Sequence, residues 1–349
     1  MISNENRLPG LKDRQESLAF VPTRAAGLAR LEQFVSRAGQ YYSSQRNYDF
    51  GPKQRRNVSA LSPWIRHRLI TEEEVLNATL ARHSLPSADK FVQEVFWRSY
   101  FKGWLEQRHS IWSTYQKGLA DALNRLEEGQ AMATNVQDAV SGRSGIDGFD
   151  KWALELVEKG YLHNHARMWF ASIWIFTLRL PWELGADFFL RHLIDGDAAS
   201  NTLSWRWVAG LHTKEKTYQA RASKIEKYSR KRFRPQDQLS NTADPLVELI
   251  EHPVRPLPLG DPMPETDFLL MVTEEDSRAE NMLHHQPVGV LGLLATEARS
   301  PIGIGQITKS FAGGALADTL ARAGAPSDAG TSSTIWDAPI IAAVEAAGV

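Results

Sequence analysis

The sequence contains no cysteine, which excludes disulfide bonds, thiolate catalysis, cysteine-ligated zinc and iron–sulfur clusters. It also lacks any run of 18 uninterrupted apolar residues, and its N-terminus has no apolar segment of the kind found in signal peptides. We therefore expect a cytoplasmic protein that does not span a membrane. The formal net charge is only −1, because 40 Lys and Arg balance 41 Asp and Glu. Any basic surface for nucleic acid must therefore be local.

Strand-like alternation is absent before about residue 265, and the apolar spacing up to that point is helical. Helices are predicted from Arg24 onward. One of them begins at Thr71, where a threonine precedes three glutamates, a pattern typical of an N-cap and a first helical turn. Residues 47–63 are rich in Gly, Pro, Asn and Arg and are predicted to form a loop. Further helices are predicted at 88–107, 112–128, 148–159, 163–178 and 181–193.

The composition changes near Pro245, and the proline-dense stretch 251–264 predicts an extended linker. Apolar runs at 267–272 and 288–295, followed by a helical pattern at 310–323, predict a small Rossmann-like α/β unit with parallel strands. Gly303 and Gly305 do not form a dinucleotide-binding motif after a strand and are interpreted as loop residues. The predicted organisation is an N-terminal arm 1–23, a helical domain 24–244, a linker 245–265 and a small α/β domain 266–349.

Tryptophan is abundant, with eleven residues, ten of which lie between Trp64 and Trp207. An aromatic core is the simplest interpretation, because tryptophan buries a large area wherever it lies. A stacking surface or an electron-transfer path is the alternative.

Polar side chains recur at helical spacing within the predicted helix 163–178. Asn164, Arg167 and Met168 fall at i, i+3 and i+4, so one helix face presents an amide, a guanidinium and a thioether. Further on, Asp195 and Asp197 flank a glycine, which suits a sharp turn. Asp195 and Arg167 could form an ion pair beside a bound ring system. A buried pair that ties two helices together explains the same residues equally well.

Two other segments carry candidate binding residues. Glu94, Trp97 and Arg98 have the same helical spacing, and a carboxylate beside an indole can stack on a planar ligand and hydrogen-bond its edge. A Glu–Arg pair at this spacing is also common on solvated helix faces. Residues 214–234 are strongly basic. They predict either a solvated helix or a surface that contacts the phosphates of DNA, and their position beside the candidate pocket favours DNA.

The order of these motifs resembles the FAD-binding domain of the DNA photolyase/cryptochrome family. The matching elements are a tyrosine, LSPW, ExxWR, HNxxRM, IDGD, an asparagine and WRW, and they span residues 24–234. The resemblance implies a mainly α, all-helical FAD-binding domain followed by the small α/β segment, with FAD as cofactor. It implies flavin contacts, with Arg167 and Asp195 flanking the isoalloxazine and Asn201 facing its N5. The implied cofactor-binding residues are Tyr42, Ser59, Leu61, Ser62, Arg98, Arg167, Asp195, Asp197 and Asn201.

Some positions differ from the family pattern. Val58 and Ala60 stand where the family has a threonine and an arginine in the phosphate loop, and Arg55 and Arg56 are nearby candidates to compensate. Only residues 1–23 precede the matching region, so we expect a divergent bacterial member without the family's N-terminal antenna domain.

The resemblance further implies FAD-dependent, light-driven repair of cyclobutane pyrimidine dimers, with damaged DNA as partner. The positions that surround the flipped-out lesion in the family hold Glu94, Trp97, Asn164, Met168 and Trp207. Trp182 and Trp205 match two members of an electron relay, and the stretch 126–133, where a third is expected, contains no tryptophan. Two alternatives stay open. One is a cryptochrome-like flavin photoreceptor that signals to a partner without repair, and the other is a helical interaction protein that has lost FAD.

Overall fold

The computed structural model describes residues 19–262, 264–278 and 283–323 of the chain. This part of the protein is mainly α-helical, which confirms the predicted fold class. None of the helices described is long and apolar enough to cross a lipid bilayer. Most of the predicted N-terminal arm, and residues 324–349 of the predicted small domain, lie outside the described residues.

The helices of the first half begin where the sequence provides caps. α1 starts at Arg24 as predicted, and the Thr23 hydroxyl accepts the Ala26 amide at 3.2 Å. At the start of α4 the Thr71 hydroxyl accepts the Glu74 amide and the Glu74 carboxylate accepts the Thr71 amide, a reciprocal capping box that confirms the predicted N-cap. The bounds are α1 Arg24–Val35, α2 Gln40–Gln45, α3 Ser62–Arg66, α4 Glu72–Leu80, α5 Leu85–Glu106, α6 Ser110–Glu128 and α7 Gln130–Val140.

The helices of the second half surround the candidate site. The pattern at 163–178 predicted one helix, and the structure has an α-helix followed by a π-helical turn at Ile173–Thr177. The Leu178 amide accordingly donates to the Ile173 carbonyl, five residues back, at 2.9 Å. The wider turn shifts the helical register of the residues that follow. The bounds are α8 Phe149–Lys159, α9 Asn164–Ser172, α10 Trp182–His192, α11 Ala198–Ala209 and α12 Ala222–Tyr228.

The main hydrophobic core lies between α8, α9 and α10 and is rich in aromatic rings. The Trp152 and Trp169 rings stack with centroids 5.5 Å apart, and the Phe149 and Phe170 rings stack at 4.2 Å. Trp64, Trp152, Trp169 and Trp174 are all fully buried, so for these residues the aromatic-core interpretation is correct.

Residues 245–262, which we call the strap, contain no helix or strand, as the proline-dense composition predicted. The first part of the strap is nevertheless held to the helices. The Leu246 amide donates to the Ala209 carbonyl at 3.0 Å and the Arg255 amide to the Gln107 carbonyl at 2.8 Å. Glu248 forms an ion pair with Arg206, whose side chain is 2% exposed.

The C-terminal region forms the predicted parallel strand pair, with β1 at Leu269–Thr273, β2 at Gly289–Leu293 and α13 at Gln306–Arg322. Three consecutive residues in the turn after β1 contact three consecutive residues at the end of α3. These contacts are the Arg66–Glu275 ion pair, the His67 Nδ1 hydrogen bond to the Glu274 carbonyl at 2.7 Å and the Arg68–Asp276 ion pair at 2.9 Å. Because Arg66 Nε also donates to the Gly196 carbonyl at 2.7 Å, the small α/β unit is connected to the turn that carries Asp195 and Asp197.

Candidate flavin site and lesion pocket

The turn between α10 and α11 brings Asp195 to Arg167 on α9. Arg167 Nη2 lies 2.8 Å from Asp195 Oδ2, and the Ser62 hydroxyl donates to the same oxygen. Gly196 permits the turn, because a Cβ there would lie 2.9 Å from the Leu193 carbonyl oxygen. The predicted ion pair therefore exists, and it joins α9, α3 and the IDGD turn at one point.

Asp197 lies on the other side of Gly196 and caps α11. Its Oδ1 accepts the Ser200 amide at 2.8 Å, and its Oδ2 lies 3.4 Å from Arg98 Nη2. Burial alone would raise the pKa of Asp197, but the positive charges of Arg98 and Arg66 outweigh burial and lower it to about 2. This carboxylate therefore remains ionised at neutral pH although it is almost fully buried.

Asn201 and Trp205 follow on the next turns of α11. Asn201 Nδ2 donates to the Ala186 carbonyl at 2.7 Å, which ties α11 to α10. The Trp205 ring packs edge-on against Phe189 at 5.2 Å and is 2% exposed. These contacts place both side chains in the interface between the two helices.

The predicted phosphate loop lies against α1. Arg30, 8% exposed, donates through Nε to the Ser59 carbonyl at 2.7 Å and through Nη2 to the Val58 carbonyl at 3.0 Å, so it holds the loop by its backbone. Leu61 is buried and precedes α3, and Ser62 is the first residue of that helix. Arg55 forms an ion pair with Glu155, so part of the positive charge expected for a diphosphate is already neutralised.

Tyr42 on α2 is buried against Phe34 and Phe91, and burial raises the pKa of its hydroxyl, which therefore stays protonated. Arg46, one helical turn further on, forms an ion pair with Glu94 on α5. The structure thus brings a predicted flavin residue and a predicted lesion residue close together through Arg46.

The predicted lesion-pocket residues lie on three helices that pack together, since α11 contacts both α5 and α9. The Trp97 side chain on α5 is 49% exposed and that of Trp207 on α11 is 36% exposed, with the Trp207 ring stacked on Tyr218 at 5.5 Å. Asn164 is exposed at the start of α9, and Met168, one turn later, is half-buried. Two indoles that remain accessible while other tryptophans fill the core are consistent with a stacking surface.

The two predicted relay residues have different surroundings. Trp205 contacts Phe170, Trp174 and Phe189 in the main core. The Trp182 ring, at the start of α10, packs on Tyr115 of α6 with centroids 5.7 Å apart, and Tyr115 in turn packs on Trp112 at 5.0 Å.

The residues of this site fit a flavin dinucleotide in one testable respect. Oδ1 of Asp195 is buried without a hydrogen-bond partner among the described residues. An unsatisfied buried polar atom costs about 1–3 kcal/mol, and a ligand that pairs with it removes that cost. Among the residues that the structure describes, no group of three or more His, Asp or Glu side chains is arranged to bind a metal ion.

Sequence reasoning missed Arg30, Arg46, Arg66 and Glu275. Each of these residues forms an ion pair or hydrogen bond with a residue that is distant in sequence, as in the Arg66–Glu275 pair. No local sequence motif predicts such a contact.

The comparison with known proteins is consistent with this geometry. Residues 91–252 match the family described as the FAD binding domain of DNA photolyase. The chain is 30% identical over 222 residues to a deoxyribodipyrimidine photo-lyase of Synechococcus sp., covering 58% of this chain and 43% of that protein. It is 25% identical over 203 residues to a cryptochrome DASH of Oryza sativa, covering 56% and 34% of the two chains. A class III photolyase structure from Agrobacterium tumefaciens is similar at 25% identity and a TM-score of 0.49, over 59% of this chain and 42% of that one.

The match of residues 91–252 to this family model confirms the resemblance seen in the motifs. The family indicates FAD as the cofactor. The chain spans less than half the length of these relatives.

Proposed function

We propose that this protein repairs cyclobutane pyrimidine dimers in DNA by light-driven electron transfer from reduced FAD. The supporting observation is that α11, which carries Trp207, packs both on α5, which carries Glu94 and Trp97, and on α9, whose Arg167 forms the ion pair with Asp195. Residues 24–244 form the proposed FAD-binding domain. When bound, the flavin supplies an electron to the lesion after it absorbs light, and the side chains bind, orient and shield the reactants.

The proposed flavin contacts follow from the polar groups that converge at the α10–α11 turn. Arg167 and Asp195 flank the ring, and the free Oδ1 of Asp195 is available to accept a hydrogen bond from it. Asp197 presents a carboxylate to its polar edge, and Asn201 faces its N5. The loop 59–62 and Tyr42 bind the remainder of the cofactor.

The proposed lesion contacts surround the exposed indoles. A dimer is weakly stacked in the duplex and leaves it at a modest energy cost. Trp97 and Trp207 then stack on the flipped-out pyrimidines, with Asn164 and Met168 completing the pocket. Glu94, oriented by Arg46, accepts a hydrogen bond from a ring N–H at the pyrimidine edge and so holds the lesion in place.

A cryptochrome-like photoreceptor is the second candidate, favoured by two observations. One of the matched relatives is a cryptochrome. In addition, Glu275 in the turn after β1 forms an ion pair with Arg66, and Arg66 donates to the Gly196 carbonyl in the turn between α10 and α11. A change at the flavin therefore has a direct route to the small α/β unit.

Illumination of the FAD-loaded, reduced protein with dimer-containing single-stranded DNA tests the proposal. The wild type should remove dimers, and Glu94→Ala should lower the quantum yield by about tenfold, the value of one hydrogen bond to a charged group, while FAD content stays unchanged. Glu106→Ala, near the end of the same helix, is the matched control and should repair normally.

Bound FAD with no loss of dimers in the wild type would contradict repair and leave the photoreceptor. Loss of flavin in Glu94→Ala would show that Glu94 belongs to the cofactor site instead.

A further inference from the structure

The turn between α10 and α11 is held at its start by the small α/β unit. The Gly305 amide donates to the Arg191 carbonyl at 3.0 Å, and the Thr308 hydroxyl donates to the His192 carbonyl at 3.0 Å. Both carbonyls belong to the last turn of α10, where a helix leaves its backbone acceptors without partners of its own. The start of α13 therefore caps the end of α10 and fixes where the turn begins.

The end of the same turn is held by the small α/β unit through α3. Arg66 Nε donates to the Gly196 carbonyl at 2.7 Å, and Arg66 Nη2 forms an ion pair with Glu275 in the turn after β1. A guanidinium can make both contacts at once, because its N–H groups form a rigid planar fork. Glu275 therefore fixes the side chain that holds the Gly196 carbonyl.

His67 links the two segments a second time. Its Nδ1 donates to the Glu274 carbonyl at 2.7 Å, and its Nε2 lies 3.3 Å from the Ile194 carbonyl oxygen. Burial lowers the pKa of His67 to about 3, so the ring is neutral at physiological pH and adds no charge beside Arg66. The small α/β unit thus supports the turn at its start, its middle and its end.

Glu275 is the carboxylate that two neighbouring buried arginines share. The side chains of Arg66 and Arg299 are 4% and 6% exposed, and Arg299 Nη2 lies 3.6 Å from Glu275 Oε1. Partial burial alone would raise the pKa of Glu275, but the positive charges of Arg66 and Arg299 outweigh it and lower the pKa to about 2. Glu275 is therefore ionised at neutral pH, and its removal would leave two buried cations to repel each other.

Arg66 also affects the charge that the turn presents. Burial alone would raise the pKa of Asp197, and the positive charges of Arg98 and Arg66 lower it to about 2. The position of Arg66 therefore determines both where the Gly196 peptide lies and how strongly the charge of Asp197 is compensated.

We propose that Glu275 and Arg66 are positioning residues for the flavin site, through which the small α/β unit fixes the turn that presents Asp195 and Asp197 to the cofactor. Thr308 and His67 support the same turn. The inference rests on the proposed flavin contacts and is independent of DNA repair. It assigns residues 266–323 a role in cofactor binding.

Hydrogen–deuterium exchange of the flavin-free protein tests the support of the turn without FAD or DNA. Glu275→Gln should speed exchange about tenfold in peptides that cover residues 193–201, the value of one hydrogen bond to a charged group. Asp276→Asn is the matched control. It removes a neighbouring ion pair of the same turn, with Arg68, which makes no hydrogen bond to the turn between α10 and α11 among the described residues.

Titration with FAD in the dark tests the consequence for the cofactor. Glu275→Gln should bind FAD about tenfold more weakly, and Asp276→Asn should bind it normally. Release of Arg66 leaves the charge of Asp197 less compensated, which disfavours added electrons. The two-electron midpoint potential of bound FAD should therefore fall by about 30 mV, equivalent to a tenfold weaker hold on reduced than on oxidised flavin. Glu275→Asp, which keeps the charge, should restore both affinity and potential.

Wild-type exchange and wild-type FAD affinity in Glu275→Gln would overturn the inference. Weaker binding with an unchanged potential, and no rescue by Glu275→Asp, would indicate only a loss of folding stability and would overturn it as well. A wild type that binds no FAD would contradict the proposed flavin site instead, and the exchange experiment would still test the support of the turn. The expected flavin effects without dimer repair would contradict the repair proposal alone.

Discussion

Gly185 of α10 lies directly beneath the Trp205 ring, and its replacement by alanine would disturb the centre of the site. A Cβ at this position would lie 2.7 Å from Cζ3 of Trp205 and 2.9 Å from Cε2 of Trp174, and both rings are buried. Overpacking of this kind costs about 2 kcal/mol, whereas alanine in a helix gains about 1 kcal/mol over glycine. We therefore expect Gly185→Ala to destabilise the protein by about 1 kcal/mol.

Gly103 in α5 provides the matched control, because a Cβ there would meet nothing within 4 Å. Gly103→Ala should gain the helix propensity without the clash and stabilise by about 1 kcal/mol. Thermal unfolding followed by circular dichroism should show melting temperatures that move in opposite directions, by roughly 2–4 °C each. Near-ultraviolet dichroism should change in Gly185→Ala only. Shifts of the same sign and size in both variants would refute the packing account.

Two further predictions concern buried charges. Asp197→Asn keeps a helix cap but removes the carboxylate that Arg98 stabilises. Because the folded pKa of about 2 lies below the ordinary 3.8, this charge contributes about 2 kcal/mol at neutral pH, and the gap in urea stability between wild type and variant should close as the pH falls from 5 towards 2. Glu248→Ala leaves the buried Arg206 without its partner and should cost about 3 kcal/mol, measured by thermal unfolding, whereas Glu251→Ala on the same strap should cost less than about 0.5 kcal/mol.

The sequence predicted helices correctly where a helix-capping residue and the helical spacing of apolar residues indicate the same start. Thr71 illustrates this, because a capping box needs only residues three positions apart. The π-helical turn at Ile173–Thr177 was not predicted, since one additional residue in a turn leaves no distinct apolar pattern. The basic segment 214–234 also differs from a continuous helix, as only Ala222–Tyr228 is helical.

The candidate site was predictable to the extent that its residues are close in sequence. Arg167 and Asp195 were paired correctly from motif and spacing, and the structure gives their distance. The pairing of Arg46 with Glu94 and of Arg66 with Glu275 depends on tertiary packing between distant segments. No alternation or periodicity in a single segment encodes such contacts.

Retention of FAD by the purified protein tests the central claim most directly. The wild type should keep a stoichiometric amount of flavin after gel filtration, and Arg167→Ala should bind about a hundredfold more weakly, because it leaves Asp195 buried without its cation. Arg191→Ala is the matched control, since it removes the partner of the equally buried Asp187 within α10 and should retain flavin. A wild type that binds no FAD, or equal flavin affinity in Arg167→Ala and wild type, would contradict the account.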